Sequence, residues 1–189
     1  IALKKFGDFF TSYTTLFYGK SSYRSDYKLY NKKTIRNIRN FERLEQIINQ
    51  LSSCTLYGEK WIPKVAYYNR IADLRVLMVN GKVSHSIIRL SNMPITNLHL
   101  DSFKIPIDLI NQIIPVEMWE KIQKTCQKVM SLFPNTFYAG IDVIINSEKT
   151  QFYINEVNAF GDLLRNINYK KMDTYAYEIQ EFTRDIGDN

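Results

Sequence analysis

Cysteine is nearly absent from this sequence. Cys54 and Cys126 are the two cysteines in 189 residues, and they lie far apart. Two such distant thiols argue against a disulfide framework and match no zinc spacing, which leaves a reducing, cytoplasmic setting as the expectation. Long apolar runs are missing as well. Nothing approaches the roughly 20 residues that span a bilayer, so no membrane partner is expected. Internal repeats, low-complexity linkers and the signatures of zinc fingers, helix-turn-helix proteins and RNA-recognition motifs are all lacking. The chain opens at Ile1, inside what reads as a strand (IALKKFG), as a fragment of a longer protein would.

Hydrophobic residues make up 45% of the chain and aromatics 14%, including 13 Tyr and 11 Phe, enough for a real core and too many for a disordered segment. The length fits one large domain or two small lobes sharing a cleft. The formal charge is +6. Its excess is concentrated between Lys20 and Arg43, where Lys20, Arg24, Lys28, Lys32, Lys33, Arg36, Arg39 and Arg43 face only Asp26 and Glu42. Such a stretch suits a nucleic acid or a phosphorylated ligand, or is simply a solvated face. No motif supports the nucleic-acid reading.

Local patterns give a mixed order of elements. Residues 1–30 alternate apolar and polar and read as strands with turns at Gly7-Asp8 and near Gly19. Residues 40–52 place Phe41, Leu44, Ile47, Ile48 and Leu51 at helical spacing. Thr55–Pro63 reads as a short strand. Asp73–Val79 and Lys82–Leu90 flank Asn80-Gly81, whose positive-φ preference predicts a tight hairpin. Residues 117–132 carry Met118, Ile122, Cys126, Val129 and Leu132 on one helical face. Tyr138–Ile145 and Gln151–Val157 form a second hairpin across Asn146–Thr150, and 173–184 reads as a last amphipathic helix. Hairpins interrupted by helices make the class α+β.

Pairing the strands of the second hairpin brings Asp142, Glu156 and Asn158 together at one sheet surface, because Glu156 and Asn158 lie two apart. Two carboxylates and an amide oxygen suit Mg²⁺ bridging nucleotide phosphates; the alternative is ordinary exposed acids at strand ends.

The neighbouring residues bring in a resemblance. YAGIDVII (138–145) and YINEVNAFGDLL (153–164) resemble the C-terminal half of the ATP-grasp core, in the branch of glutathione synthetase and the enzyme that adds glutamate to ribosomal protein S6. The resemblance implies that Asp142, Glu156 and Asn158 hold two magnesium ions, or manganese in their place. EKWI is similar to the family's hinge, which implies adenine contacts at Glu59, Lys60, Trp61 and Ile62. DLR resembles the strand that follows the hinge, with Asp73 implied on the ribose and Arg75 on phosphate or acyl groups. Arg89, at the end of the next strand, is implied to stabilise the transferring phosphoryl group. Asn97 and His99, in TNLHL, are implied on the substrate side, though His99 also reads as a structural histidine. His85 has no motif around it and reads as structural.

The likeness covers roughly residues 55–165. Lys4 or Lys5 stands where the family carries its phosphate lysine, but DFFTSYT follows with no glycine before Gly19, a bulkier loop than a phosphate cradle prefers. The implied fold is ATP-grasp: a small lobe over 1–62, a large lobe over 63–189, and ATP gripped between antiparallel sheets. The implied N-terminal substrate domain lies outside the chain. The implied activity is ATP-dependent joining of a carboxylate to an amine through an acyl phosphate, on small-molecule or peptide substrates. A nucleotide-binding module without catalysis and a small-molecule kinase on the same fold are the alternatives.

Overall fold

A computed structural model of the chain describes residues 2–6, 9–20, 27–52, 60–93, 96, 103–160 and 164–187, with backbone alone described for 2–6, 9–20, 27–36 and 185–187. The expected strand at Thr55–Pro63 lies partly outside these residues, and 60–63 is not strand. No described helix is long and apolar enough to cross a membrane.

The architecture is α+β. Strands β1 (Ala2–Phe6), β2 (Phe9–Lys20) and β3 (Tyr27–Ile38) form an antiparallel sheet in that order. Helix α1 (Phe41–Leu51) packs on β2 and β3. Its start is fixed by Asn40, whose side-chain oxygen accepts the Arg43 N–H at 2.8 Å. Leu44 and Ile47 are buried with Ile38, whereas Phe41 and Ile48 are exposed, so α1 buries a narrower stripe than its spacing predicts.

The larger sheet holds β4 (Ala66–Tyr67), β5 (Arg70–Val79), β6 (Lys82–Ser91), β7 (Phe103–Pro106), β8 (Tyr138–Ile145) and β9 (Phe152–Asn158). Its order is β7-β6-β5-β8-β9, with β4 pairing the start of β5. The β5–β6 hairpin turns at Asn80 (φ 47°) and Gly81 (φ 69°), the double positive φ that Asn-Gly tolerates. A 3-10 turn at Ile107–Gln112 leads through Pro115 into α2 (Val116–Met130), and α3 (Thr174–Gly187) ends the fold.

One face of this sheet is apolar. Ala72, Leu74, Val76 and Met78 of β5, Ile88 and Leu90 of β6, and Ala139, Ile141 and Val143 of β8 are buried with Ile122, Cys126 and Met130 of α2. Leu132, expected on the same helical stripe, lies past the helix end and is 72% exposed. Burial pushes the Cys126 thiol up to about 12, so this free cysteine is inert packing at neutral pH. Toward the hairpin tip, the opposite face is covered. Leu77 and Ile87 pack with Leu164, and His85 lies among the rings of Tyr169 and Tyr177. His85 Nε2 lies 2.9 Å from the Met172 carbonyl, a structural role as its sequence context suggests.

Two irregularities set which residues reach which face. In β9, Glu156 pairs with Asp142 but Ile154 pairs with Val143, leaving Asn155 as an extra residue. Ile154 and Glu156 are two apart and would share a face in a regular strand. The bulge sends Ile154 to the apolar core and Glu156 to the opposite side. A second bulge, in β6 between Val83 and Ser86, lets both Val83 and Ile88 pack against the same core.

Candidate functional site

Beyond the part covered by α3, the second face of the large sheet carries charge. Strand register places its members: Asp73 lies opposite Arg89, Arg75 opposite Asp142, and Asp142 opposite Glu156. Opposite residues in an antiparallel pair share a face with Cβ atoms about 4.5–5.5 Å apart, so five side chains form two adjacent rows, Arg89–Asp73 and Arg75–Asp142–Glu156.

The two rows are tied together from within. Arg89 donates through Nε to Asp73 Oδ1 at 2.7 Å and through Nη1 to Asp142 Oδ2 at 3.2 Å. Arg75 Nη1 stands 3.0 Å from Asp142 Oδ1, within ion-pair distance, yet the angles make no hydrogen bond and both atoms are buried without one. Asp73 Oδ2 accepts from Lys64 Nζ at 2.8 Å and from the Thr96 hydroxyl. Lys104, opposite Arg89 on β7, donates to the Arg165 carbonyl.

Burying these groups is favourable only because they are paired. For Arg89, burial works against the charge, but Asp73 and Asp142 outweigh it and hold the guanidinium above its ordinary range. For Asp142, burial dominates and raises the carboxyl above its usual range, even though Arg89 and Arg75 pull it down. Three cations, Lys64, Arg75 and Arg89, surround two carboxylates, Asp73 and Asp142, so the paired cluster carries one positive charge in excess.

Three oxygen donors border this cluster: the Asp142 Oδ1 atom that lacks a hydrogen bond, the exposed Glu156, and the half-buried Asn158, opposite Gly140. They are hard-oxygen donors on one face, the donor type a magnesium ion takes, although Asp142 Oδ1 is buried 3.0 Å from Arg75 Nη1. Among the described residues no group of three His, Cys, Asp or Glu side chains is poised to hold a cation unaided.

The structure places Asp73, Arg75, Arg89, Asp142, Glu156 and Asn158 on one face of the large sheet. Asp73 differs in its surroundings: it is 3% exposed and both its oxygens already accept, so it offers a ribose hydroxyl no solvent-facing atom. Lys60 is exposed, and Trp61 and Ile62 are half-buried, in the segment leading into β4. Glu59, Asn97 and His99 lie outside the described residues, and for Lys4 and Lys5 only the β1 backbone is described. Lys64 and Thr96 were missed as charge partners. Thr96 opens TNLHL, but no motif marks Lys64 beyond its place one residue after Pro63.

No protein-family model and no curated protein matches the sequence. Among solved structures, the chain is similar to a RiPP-associated ATP-grasp ligase from Chryseobacterium gregarium, in complex with ADP and a leader and core peptide. The two share 22% identity at a TM-score of 0.47, over 81% of this chain and 41% of that one, so the chain spans less than half of that protein's length.

Proposed function

We propose that the chain is the catalytic core of an ATP-dependent carboxylate–amine ligase of the ATP-grasp kind, working through an acyl phosphate. The observation that carries this reading is the gathering of Arg89, Arg75, Asp142 and Glu156 on one face of the sheet, in the order that the family motifs imply. In this reading, residues 1–62 form the small lobe and 63–189 the large one. Lys4 or Lys5 reaches the phosphates, and adenine lies against Glu59–Ile62.

Phosphoryl transfer asks the protein for positioning and charge stabilisation more than for covalent chemistry. The substrate carboxylate attacks the γ-phosphorus, and the bond to the β-phosphate oxygen breaks, releasing ADP. The amine then attacks the acyl carbon, inorganic phosphate leaves, and the nitrogen loses a proton. Arg89 keeps N–H donors on its two terminal nitrogens after its pairs with Asp73 and Asp142, and in this reading they serve the transferring group. Arg75, whose Nη1 has no aligned hydrogen bond, stabilises the acyl phosphate. Asp142, Glu156 and Asn158 would hold magnesium, which when bound would supply charge neutralisation for the nucleotide phosphates. Asn97 and His99 line the substrate side. We assign Asp73 the holding of Arg89, in place of ribose contact.

The test measures ADP and phosphate release by the full-length protein supplied with candidate carboxylates and amines. Stoichiometric ADP, phosphate and an amide product support the ligase. Phosphorylated product without free phosphate identifies a kinase, and ATP binding without turnover a silent module. Arg89→Ala is expected to lower kcat by about 10²–10³ with ATP affinity nearly intact, as for loss of one preorganised stabiliser. Full turnover per folded molecule in that variant would remove Arg89 from the mechanism.

A further inference from the structure

Lys64 belongs to none of the motifs that mark the charged face, yet its ammonium lies inside that cluster. Its Nζ is 2.8 Å from Asp73 Oδ2 and 2.7 Å from Thr96 Oγ1, and the side chain is 9% exposed. A lysine near a surface ordinarily extends its stem and leaves the charge in water. Here the reverse holds, and the backbone shows why. Residue 64 bridges to Asn146, while Ser147 N–H donates to the Pro63 carbonyl and Val65 N–H to the Ile145 carbonyl, each at 2.9 Å. Ala72 N–H in turn donates to the Val65 carbonyl at 2.8 Å. The backbone at 63–65 is thereby stitched to the end of β8 and the start of β5, and the side chain runs inward to Asp73.

We propose that Lys64 is a positioning residue for Arg89, acting through Asp73; its consequence for turnover rests on the ligase reading above. With Oδ2 held by Lys64 and Thr96, the Asp73 carboxylate presents Oδ1 to Arg89 Nε at 2.7 Å. That contact fixes the guanidinium plane, whose terminal nitrogens lie 3.2 Å from Asp142 Oδ2. Lys64 also sets the charge balance among the paired groups. Without it, Arg75 and Arg89 balance Asp73 and Asp142, and the cluster's excess positive charge vanishes. An arginine that shares its charge with an undivided Asp73 stabilises a developing phosphoryl anion less well. The same lysine lies two residues past Ile62, so it ties the segment proposed to contact adenine to the arginine proposed to act on the γ-phosphate.

The experiment compares Lys64→Met, Lys64→Arg, Arg89→Ala and the Lys64→Met/Arg89→Ala pair in the full-length protein, reading kcat, KM for ATP and melting temperature. Lys64→Gln replaces Lys64→Met if the latter does not fold. Lys64→Met is expected to lower kcat about 10–100-fold, the scale of losing a group that orients an active residue, with KM for ATP within about 2-fold. Lys64→Arg, which restores the charge, should recover most of the loss. In the Arg89→Ala background, Lys64→Met should cost nothing further, because the group it orients is gone. Equal losses in both backgrounds, or wild-type turnover per folded molecule in Lys64→Met, would overturn the proposal. If wild type shows no turnover the ligase reading fails, and if Arg89→Ala keeps full turnover Arg89 leaves the mechanism; in either case the melting temperatures decide on Lys64 alone. Non-additive shifts keep it as the anchor of Arg89, and additive shifts remove it.

Discussion

The two faces of the large sheet are made by the same strands, one residue out of phase. Ala72, Leu74 and Val76 of β5 face α2, while Asp73, Arg75 and Leu77 face the other way. On β8, Ile141 and Val143 enter the core, and Asp142 between them meets two arginines. The apolar face is held by area and shape, which many hydrophobic side chains satisfy. The charged face is held by specific pairs at 2.7–3.2 Å, where one exchange leaves a buried ion alone. A register slip of one residue would place both arginines under α2, so the pairing that supports the core also supports the site.

Damage to each face in turn separates their contributions. Asp142→Ala leaves Arg75 without its acid and Arg89 with Asp73 alone, and is expected to destabilise the protein by about 3–5 kcal/mol, with turnover lost as well. Ile122→Ala on α2 opens a cavity under the other face and is expected to cost about 2–5 kcal/mol, with turnover per folded molecule unchanged. Denaturant melts beside single-turnover ADP formation read both quantities. A loss of turnover in Ile122→Ala beyond its unfolded fraction would show that the two faces are not separable.

The faces also differed in how well the sequence disclosed them. The Asn80-Gly81 and Asn146–Thr150 turns bracket alternating strands, and both hairpins stand where that alternation placed them. In the second turn, Asn146 Oδ1 accepts from the N–H groups of Thr150 and Gln151, which is why a polar run without glycine can turn there. The β9 bulge was invisible, because Tyr153, Asn155 and Val157 give no sign of an extra residue until the partner strand is known. Strand β7 is only four residues long, and the 3-10 turn after Pro106 is too short to show a period. Motif order gathered the charged residues. Their partners could not be read the same way, since Lys64 and Thr96 reach Asp73 through tertiary closure across 9 and 23 residues.

A smaller effect tests what both faces share. Gly81 lies at the tip of the β5–β6 hairpin with φ 69°, and a Cβ added there would meet nothing within 4 Å. The cost of Gly81→Ala is therefore backbone strain alone, about 1–2 kcal/mol. Because the hairpin supplies residues to both surfaces, melting temperature should fall while turnover per folded molecule stays constant. A drop in turnover would mean that the charged rows depend on the exact twist of this hairpin.

The smallest expected effect probes the half of the second face that α3 covers. Glu181 is 2% exposed and accepts from Lys82 Nζ at 2.9 Å, with Arg184 at 3.1 Å. The hydrogen bond from Lys82, together with both cations, holds the carboxyl below its ordinary range against the opposing effect of burial. A carboxylate with a lowered folded-state pKa adds stability that is present above its unfolded value, near 4.3, and is lost as pH falls through the folded value. Both cationic side chains are 61% exposed, so the contribution should be no more than about 1 kcal/mol. Melting temperatures of wild type and Glu181→Gln, measured from pH 7 down to about pH 3, should differ most at neutral pH and converge in acid. The other carboxylates cancel in that difference. A gap that stays constant with pH would mean that α3 is held by burial and packing, through Tyr177 and Phe182, with no help from the charge on Glu181.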